Sequence, residues 1–306
     1  MPQTVAYRPL LIDNLITNER LNSYKTTFKT STDVELVGAY LWNINVCSEI
    51  YHLISAAEIT LRNAIDKALT ADLGYFWWKK SKLHYKSFAP GQVPPFFVKC
   101  VYDNFDSASR AVIKEKKDRY GITGNVKPSH HEIIAKTEFS TWEFILDHEF
   151  MGNNLIWPRN MGKVFLGNWP SLSANTTLTY MRDLVKTIRE FRNRIFHHEP
   201  AWKKFGVQNE SDAIVHLHEK IAKIIELINT TAPEKKNLLD KNKIIQNAYR
   251  SCSISEIRRF QHKSAVTQVK TIAKFRTLID RATGTDSIEK MVVYSDKKRT
   301  LLIQPY

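Results

Sequence analysis

The chain has 306 residues, 43% of them hydrophobic and 11% aromatic, enough to bury one large core or two modest ones, which excludes a disordered chain. Its formal charge of +14 at pH 7 exceeds what a fold needs, because like charges repel, and it points to an anionic partner. No run approaches the ~18 apolar residues that cross a bilayer, and the start MPQTVAYRPLLIDNL lacks a basic segment leading into an apolar one, so the expectation is a cytoplasmic protein with no membrane partner.

Residues 1–34 read as an N-terminal extension. From Glu35 to Leu73 apolar residues fall on most sides without a proline, and Gly74 stands where a C′ glycine ends a helix; this predicts one long buried helix or two end to end. Residues 75–128, with YFWWKK, APGQVPP and GITGNVKP, predict loops around one helix near 96–118. Ser129 and Glu132 form an S-x-x-E capping box, which predicts a helix over about 130–150. GNNLIWPRNMGKVFLGNWPS, broken by Gly and Pro, reads as an irregular connection with a short helix. Ser173 or Asn175 can cap the helix after it. Residues 212–229 form an amphipathic helix, ended by Pro233. Ser253 and Glu256 make a second capping box, VTQVKTIAKFRTLIDRATG predicts a helix with its C′ at Gly284, and MVVYSDKKRTLLIQPY predicts a β-hairpin. Residues 234–306 hold 16 lysines and arginines against 7 acids, a net +9. The predicted division is therefore a helical domain over 35–235 and a separable basic module over 236–306 that adds RNA affinity without chemistry.

The segment REFRNRIFHHEP, 189–200, carries the chemistry. At ~100° per residue, Leu178, Met181, Leu184, Ile188, Phe191 and Ile195 share one stripe, the core face. Arg182, Lys186, Arg189, Asn193 and His197 form a stripe almost opposite, and Arg192 lies between the two. Pro200 disfavours helix at Glu199, so the helix ends at His197–His198. A helix C-terminus favours a cation, histidine changes charge between pH 5 and 8, and the arginine fork grips phosphate oxygens. Metal-free RNA cleavage asks for those abilities: the ribose 2′-OH loses a proton, the phosphorane is stabilised and the 5′-oxygen gains a proton. A two-fold dimer pairing the polar stripes would bring two copies of His197 and Arg192 into one cleft. The residues alone leave open a solvated helix face with a capping histidine.

Other constellations are weaker. Glu58 and Arg62, at i and i+4, read as a buried ion pair or as groups that orient Arg192 or His197. His-Glu pairs start at His131, His148, His198 and His218, yet none extends to H-E-x-x-H, and no metal or cofactor is expected. Cys47, Cys100 and Cys252 are far apart without C-x-x-C spacing, which favours buried thiols. Trp77 and Trp78 beside Lys79 and Lys80 read as core and rim packing rather than a base-stacking platform.

RNRIFH fits the R-x(4–6)-H motif of HEPN domains. AYLWNINVCSEIYHLISAAEITLRNAI, TEFSTWEFIL, LIWPRNMGKVF and FRNRIFHHEPAW together resemble its Abi-like, abortive-infection branch, over roughly 35–230. The resemblance implies a mainly α fold, a HEPN-like helical bundle; the basic module of helices plus a β-hairpin lies outside it. It also implies a homodimer formed through the motif helix and a metal-independent endoribonuclease used as a toxin or antiphage effector. Arg192, Asn193 and His197 take the matched positions, with Glu58, Arg62 and His198 in support and Arg182, Lys186 and Arg189 as RNA contacts. RNA is the expected partner, with an antitoxin protein or antitoxin RNA to restrain the activity. The alternatives are a non-catalytic RNA-binding protein on a HEPN-like scaffold and, more weakly, a DNA-binding regulator using SISEIRRFQHKSAVTQVKTIAKF.

Overall fold

The computed structural model describes residues 7–8, 10–263, 266–269, 271–283, 291–294 and 300–303, and they are mainly helical. The chain divides into two compact units: Met1–Leu53 with Arg194–Ala222 and Leu239–Tyr306, and Ile54–Asn193 with Lys223–Leu238. The extension folds as a short π-helix, Ile12–Ile16, and α1, Asn18–Thr27, which bury Ile12, Leu21 and Tyr24.

The long apolar run forms a single helix, α2, over Asp33–Leu73. It begins before Glu35 because the Thr32 hydroxyl accepts from the Glu35 N–H (3.2 Å). It stops at Gly74, whose φ of +80° suits glycine and whose N–H reaches the Thr70 carbonyl (2.9 Å). The central helix α3 spans Phe96–Tyr120.

Ser129 and Glu132 form the expected capping box at the start of α4, His130–Lys136, but no single helix covers 130–150. Thr137 turns extended (ψ 144°) and its hydroxyl bonds back to the Ile134 carbonyl, so the chain restarts as α5, Phe139–Phe144, and then a 3-10 turn, His148–Phe150. After α6, Met161–Val164, the motif helix α7 runs from Ala174 to Phe196, with the Ser173 hydroxyl accepting from the Thr176 N–H (3.3 Å). Then follow α8, Glu210–Thr231; α9, Pro233–Lys241; α10, Ile244–Ser251; and α11, Ile254–Phe260. Pro233 opens α9, where its missing N–H costs nothing.

Beyond 260 the pattern departs from the predicted helix. Val266–Gln268 is a strand, β1, and α12, Ile272–Thr283, starts only where the Thr271 hydroxyl accepts from the Lys274 N–H (3.2 Å). The β-branched Val266 and Thr267 favour the extended state. β1 pairs parallel with β2, Met291–Tyr294, which pairs antiparallel with β3, Thr300–Ile303. Gly284 lies outside the described residues.

Within the first unit α10 and α11 pack into the core. Trp42 Nε1 donates to the Ser251 carbonyl (2.8 Å), Lys263 pairs with Glu35 (2.8 Å), and Ala248, Cys252 and Ile257 are buried. A Cβ added to Gly38 would stand 2.4 Å from the Phe260 carbonyl oxygen, so only glycine lets α11 lie against α2 there. Gly38→Ala is expected to destabilise the protein by ~1–3 kcal/mol in urea unfolding. Gly162→Ala, whose Cβ meets nothing within 4 Å, should change it by less than ~0.5 kcal/mol.

Candidate functional site

The core stripe of α7 is buried as expected, from Leu178, Met181 and Leu184 through Ile188, Phe191 and Ile195. The polar stripe, however, divides into different environments. Within the second unit, Arg182 Nη1 meets Asp147 (2.7 Å) and its guanidinium lies 4.5 Å from the Phe97 ring centre. Arg189 Nε donates to Glu143 (2.5 Å). Both acids are almost wholly buried, at 0% and 4% side-chain exposure. Lys186 between these arginines is exposed. Glu143 and Asp147 went unnoticed in the sequence, although two acids at i and i+4 inside the apolar run FSTWEFILDHEF are the signal of buried charge awaiting partners.

Arg192 and Asn193 are half-buried, and Arg192 Nη1 lies 3.3 Å from Asn193 Oδ1. Burial raises the pKa of Glu58 on α2, opposed by the nearby charge of Arg192 first and Arg62 second. The i, i+4 pairing expected between Glu58 and Arg62 is thus the weaker of its two attractions. Arg62 Nε leans to Asn63 Oδ1 (3.4 Å).

Within the first unit the chain leaves α7 through a Schellman-type turn. The His198 N–H bonds to the Ile195 carbonyl (3.0 Å), the Glu199 N–H to the Arg194 carbonyl (3.0 Å), and His198 takes the left-handed position at φ +56°. Arg20 donates to the His198 carbonyl, Arg194 to the Lys203 carbonyl, and Asn43 Oδ1 accepts from the Ala201 N–H (2.9 Å). The His198 backbone is therefore bound up in the turn, and His197 stands at the helix C-cap; both side chains are exposed.

A second cluster in the second unit, Asp66, His130 and His131, brings ligand-type atoms within 4.8 Å of one another. Hydrogen bonds already engage it. His130 Nδ1 accepts from the Phe76 N–H (3.0 Å), which puts the ring proton on Nε2, facing Asp66 (2.9 Å). Asp66 also accepts from Trp77 Nε1 (2.9 Å), so the group reads as a staple for the buried Trp77 and Trp78 rather than as a metal centre. In the first unit, burial holds the Cys47 and Cys252 thiols up at about 11 and about 12, far from nucleophilic use.

A family model described as Abi-like protein matches residues 14–203, well over half the chain and the whole of the Arg192–His197 motif. The chain belongs to the Abi-like family, which associates it with abortive infection. No curated protein and no solved structure matches it. No helix among the described residues is long and apolar enough to cross a membrane.

Two outcomes follow from this geometry. Arg189→Ala leaves Glu143 buried without its cation and is expected to cost ~3–5 kcal/mol in urea unfolding, whereas Lys186→Ala should cost less than ~0.5 kcal/mol. Because folding raises the Glu58 pKa, the folded state binds the proton more tightly, and this contribution to stability is full at acid pH and lost as pH rises through the folded value. Glu58→Gln, which stays neutral, should therefore gain melting temperature relative to the parent between pH 4 and pH 7.

Proposed function

We propose that the chain is a metal-independent endoribonuclease acting as a toxin or antiphage effector, with the R-x4-H motif of Arg192 and His197 as its chemistry. The observation that carries the reading is that this motif lies inside the stretch matched to the Abi-like family, at the end of a helix whose core face is fully buried. The exposure of His197, the half-burial of Arg192 and the net charge of +14 support it.

In this mechanism His197 takes the proton from the ribose 2′-OH as that oxygen attacks the adjacent phosphorus. The bond to the 5′-oxygen breaks, leaving a 2′,3′-cyclic phosphate and a 5′-hydroxyl that receives a proton. Arg192 neutralises the charge gathering on the phosphorane oxygens, and Asn193 supplies a neutral donor beside it. Glu58 positions Arg192 through its charge. A homodimer joined through α7 supplies a second His197 as the acid that protonates the leaving oxygen. Arg182 and Arg189, each ion-paired with a buried acid, can meet RNA in this reading only through the N–H groups those acids leave over, and Lys186 is the direct phosphate contact. An antitoxin, protein or RNA, restrains the activity.

The test is incubation of purified protein with single-stranded RNA in EDTA. Cleavage leaving cyclic phosphate ends is expected, with His197→Ala and Arg192→Ala each lowering turnover ~100-fold or more and Lys67→Ala, an exposed change on α2, leaving it intact. Tight, salt-dependent binding without product at any protein concentration would assign the chain instead to non-catalytic RNA binding on a HEPN-like scaffold.

A further inference from the structure

The second unit holds a cavity of about 510 Å³ that the motif helix does not line. Phe76, Tyr102, Lys79, Lys80, Lys127 and Asp106 supply its character: two aromatic surfaces, three cations and one carboxylate. Its floor is closely packed: Trp78 is buried, with Phe105 stacked on it at 4.3 Å and His130 at 4.8 Å.

Phe76 and Tyr102 instead carry lysine ammonium groups over their rings, Lys79 Nζ at 5.2 Å and Lys80 Nζ at 5.6 Å. Tyr102 is buried and its hydroxyl donates to the Leu83 carbonyl (2.8 Å), so it belongs to the cavity floor; the half-buried Phe76 is the ring that offers a stacking surface with a positive charge beside it. Phe76 is also held at φ +56°, a conformation that bulky residues rarely adopt. Its N–H donates to His130, and the Asp66–His130 pair fixes that partner. Strain of this kind persists where the surroundings impose it, and here it sets a ring at the rim of a basic cavity.

The ligand that fits is flat, aromatic and anionic, with N–H donors on one edge. We propose that this cavity binds one nucleotide unit: guanine stacks on Phe76 above the floor that Tyr102 closes, its N1–H and 2-amino group point to Asp106, and the phosphate lies against Lys79, Lys80 and Lys127. A carboxylate can accept two parallel bonds from that edge of guanine, whereas adenine offers only one donor. The inference stands apart from the nuclease reading, since none of these residues belongs to the motif.

Calorimetric titration of the full chain tests it, with guanosine 5′-monophosphate as one probe and the 2′-O-methyl pentanucleotide UUGUU, which cannot be cleaved, as the other. At least one probe is expected to bind saturably. Binding of the monophosphate would identify a free nucleotide as sufficient, and binding of the pentanucleotide alone would place the guanine within a strand. Lys79→Gln/Lys80→Gln and Phe76→Asn, the latter keeping a residue that tolerates the left-handed backbone, should each weaken binding tenfold or more. Asp106→Asn should abolish the preference for guanosine over adenosine monophosphate, or for UUGUU over UUAUU. Lys67→Gln, an exposed lysine on α2, should change nothing, and circular dichroism melts confirm that each variant is folded. The proposal is overturned if neither probe binds, if the folded cavity variants bind as the parent does, if Lys67→Gln weakens binding equally, or if Asp106→Asn keeps the guanine preference.

Discussion

Two carboxylates removed from water govern the motif helix. A lone buried carboxylate costs several kcal/mol, so the side chains of Glu143 and Asp147 require cations at fixed positions. Arg189 and Arg182, seven residues apart on one face of α7, supply them, and they set the helix in register against α5 and the turn after it. This pairing decides how the rest of the polar stripe is used. Arg182 and Arg189 are drawn down to the protein surface, Lys186 remains exposed, and Arg192, one turn further on, is the guanidinium that feels Glu58.

In the first unit the exit from the motif helix is tied down with equal care. The left-handed His198 closes the helix, Asn43 fixes the backbone at Ala201, and Trp202 stands in an aromatic cluster with Tyr24 (5.2 Å) and Phe28 (5.0 Å). The cluster explains why α1 is packed in the first unit: Tyr24 and Phe28 are the rings that cover Trp202. The two adjacent histidines thus differ in backbone rather than in exposure: His198 takes the left-handed turn position, and both side chains reach solvent.

Positive charge is handled by a similar division. Where a cation serves the fold it meets a carboxylate, as Arg258 does with Glu210 (2.7 and 2.5 Å) and Lys263 with Glu35. Lys79, Lys80 and Lys127 are exposed around an aromatic cavity instead. Part of the basic tail belongs to the first kind: α10 and α11 bury apolar residues in the first unit, Arg258 and Arg259 pair with Glu210 and Glu256, and Arg250 donates to Asn247. A surplus of charge in sequence therefore does not by itself mark a nucleic-acid arm.

The sequence by itself determined the helical class, the apolar helical run that stops at Gly74, the capping box at Ser129, both stripes of α7 and its stop near His197, along with the family. These are local matters: periodicity, caps and glycine or proline punctuation act over a few residues and need no knowledge of distant partners. Tertiary structure alone decided what local rules leave degenerate. The break at Thr137 depends on an extended backbone between two apolar runs that are equally compatible with one helix. The strand at Val266 depends on pairing with residues 26 positions on. The packing of α11 on α2 depends on Gly38 lying against Phe260, 222 positions away. Arg182 and Arg189 looked like free phosphate contacts because a helical wheel shows which way a side chain leaves the helix, not what waits for it. Only the fold placed Glu143 and Asp147 there, and burial made that pairing obligatory.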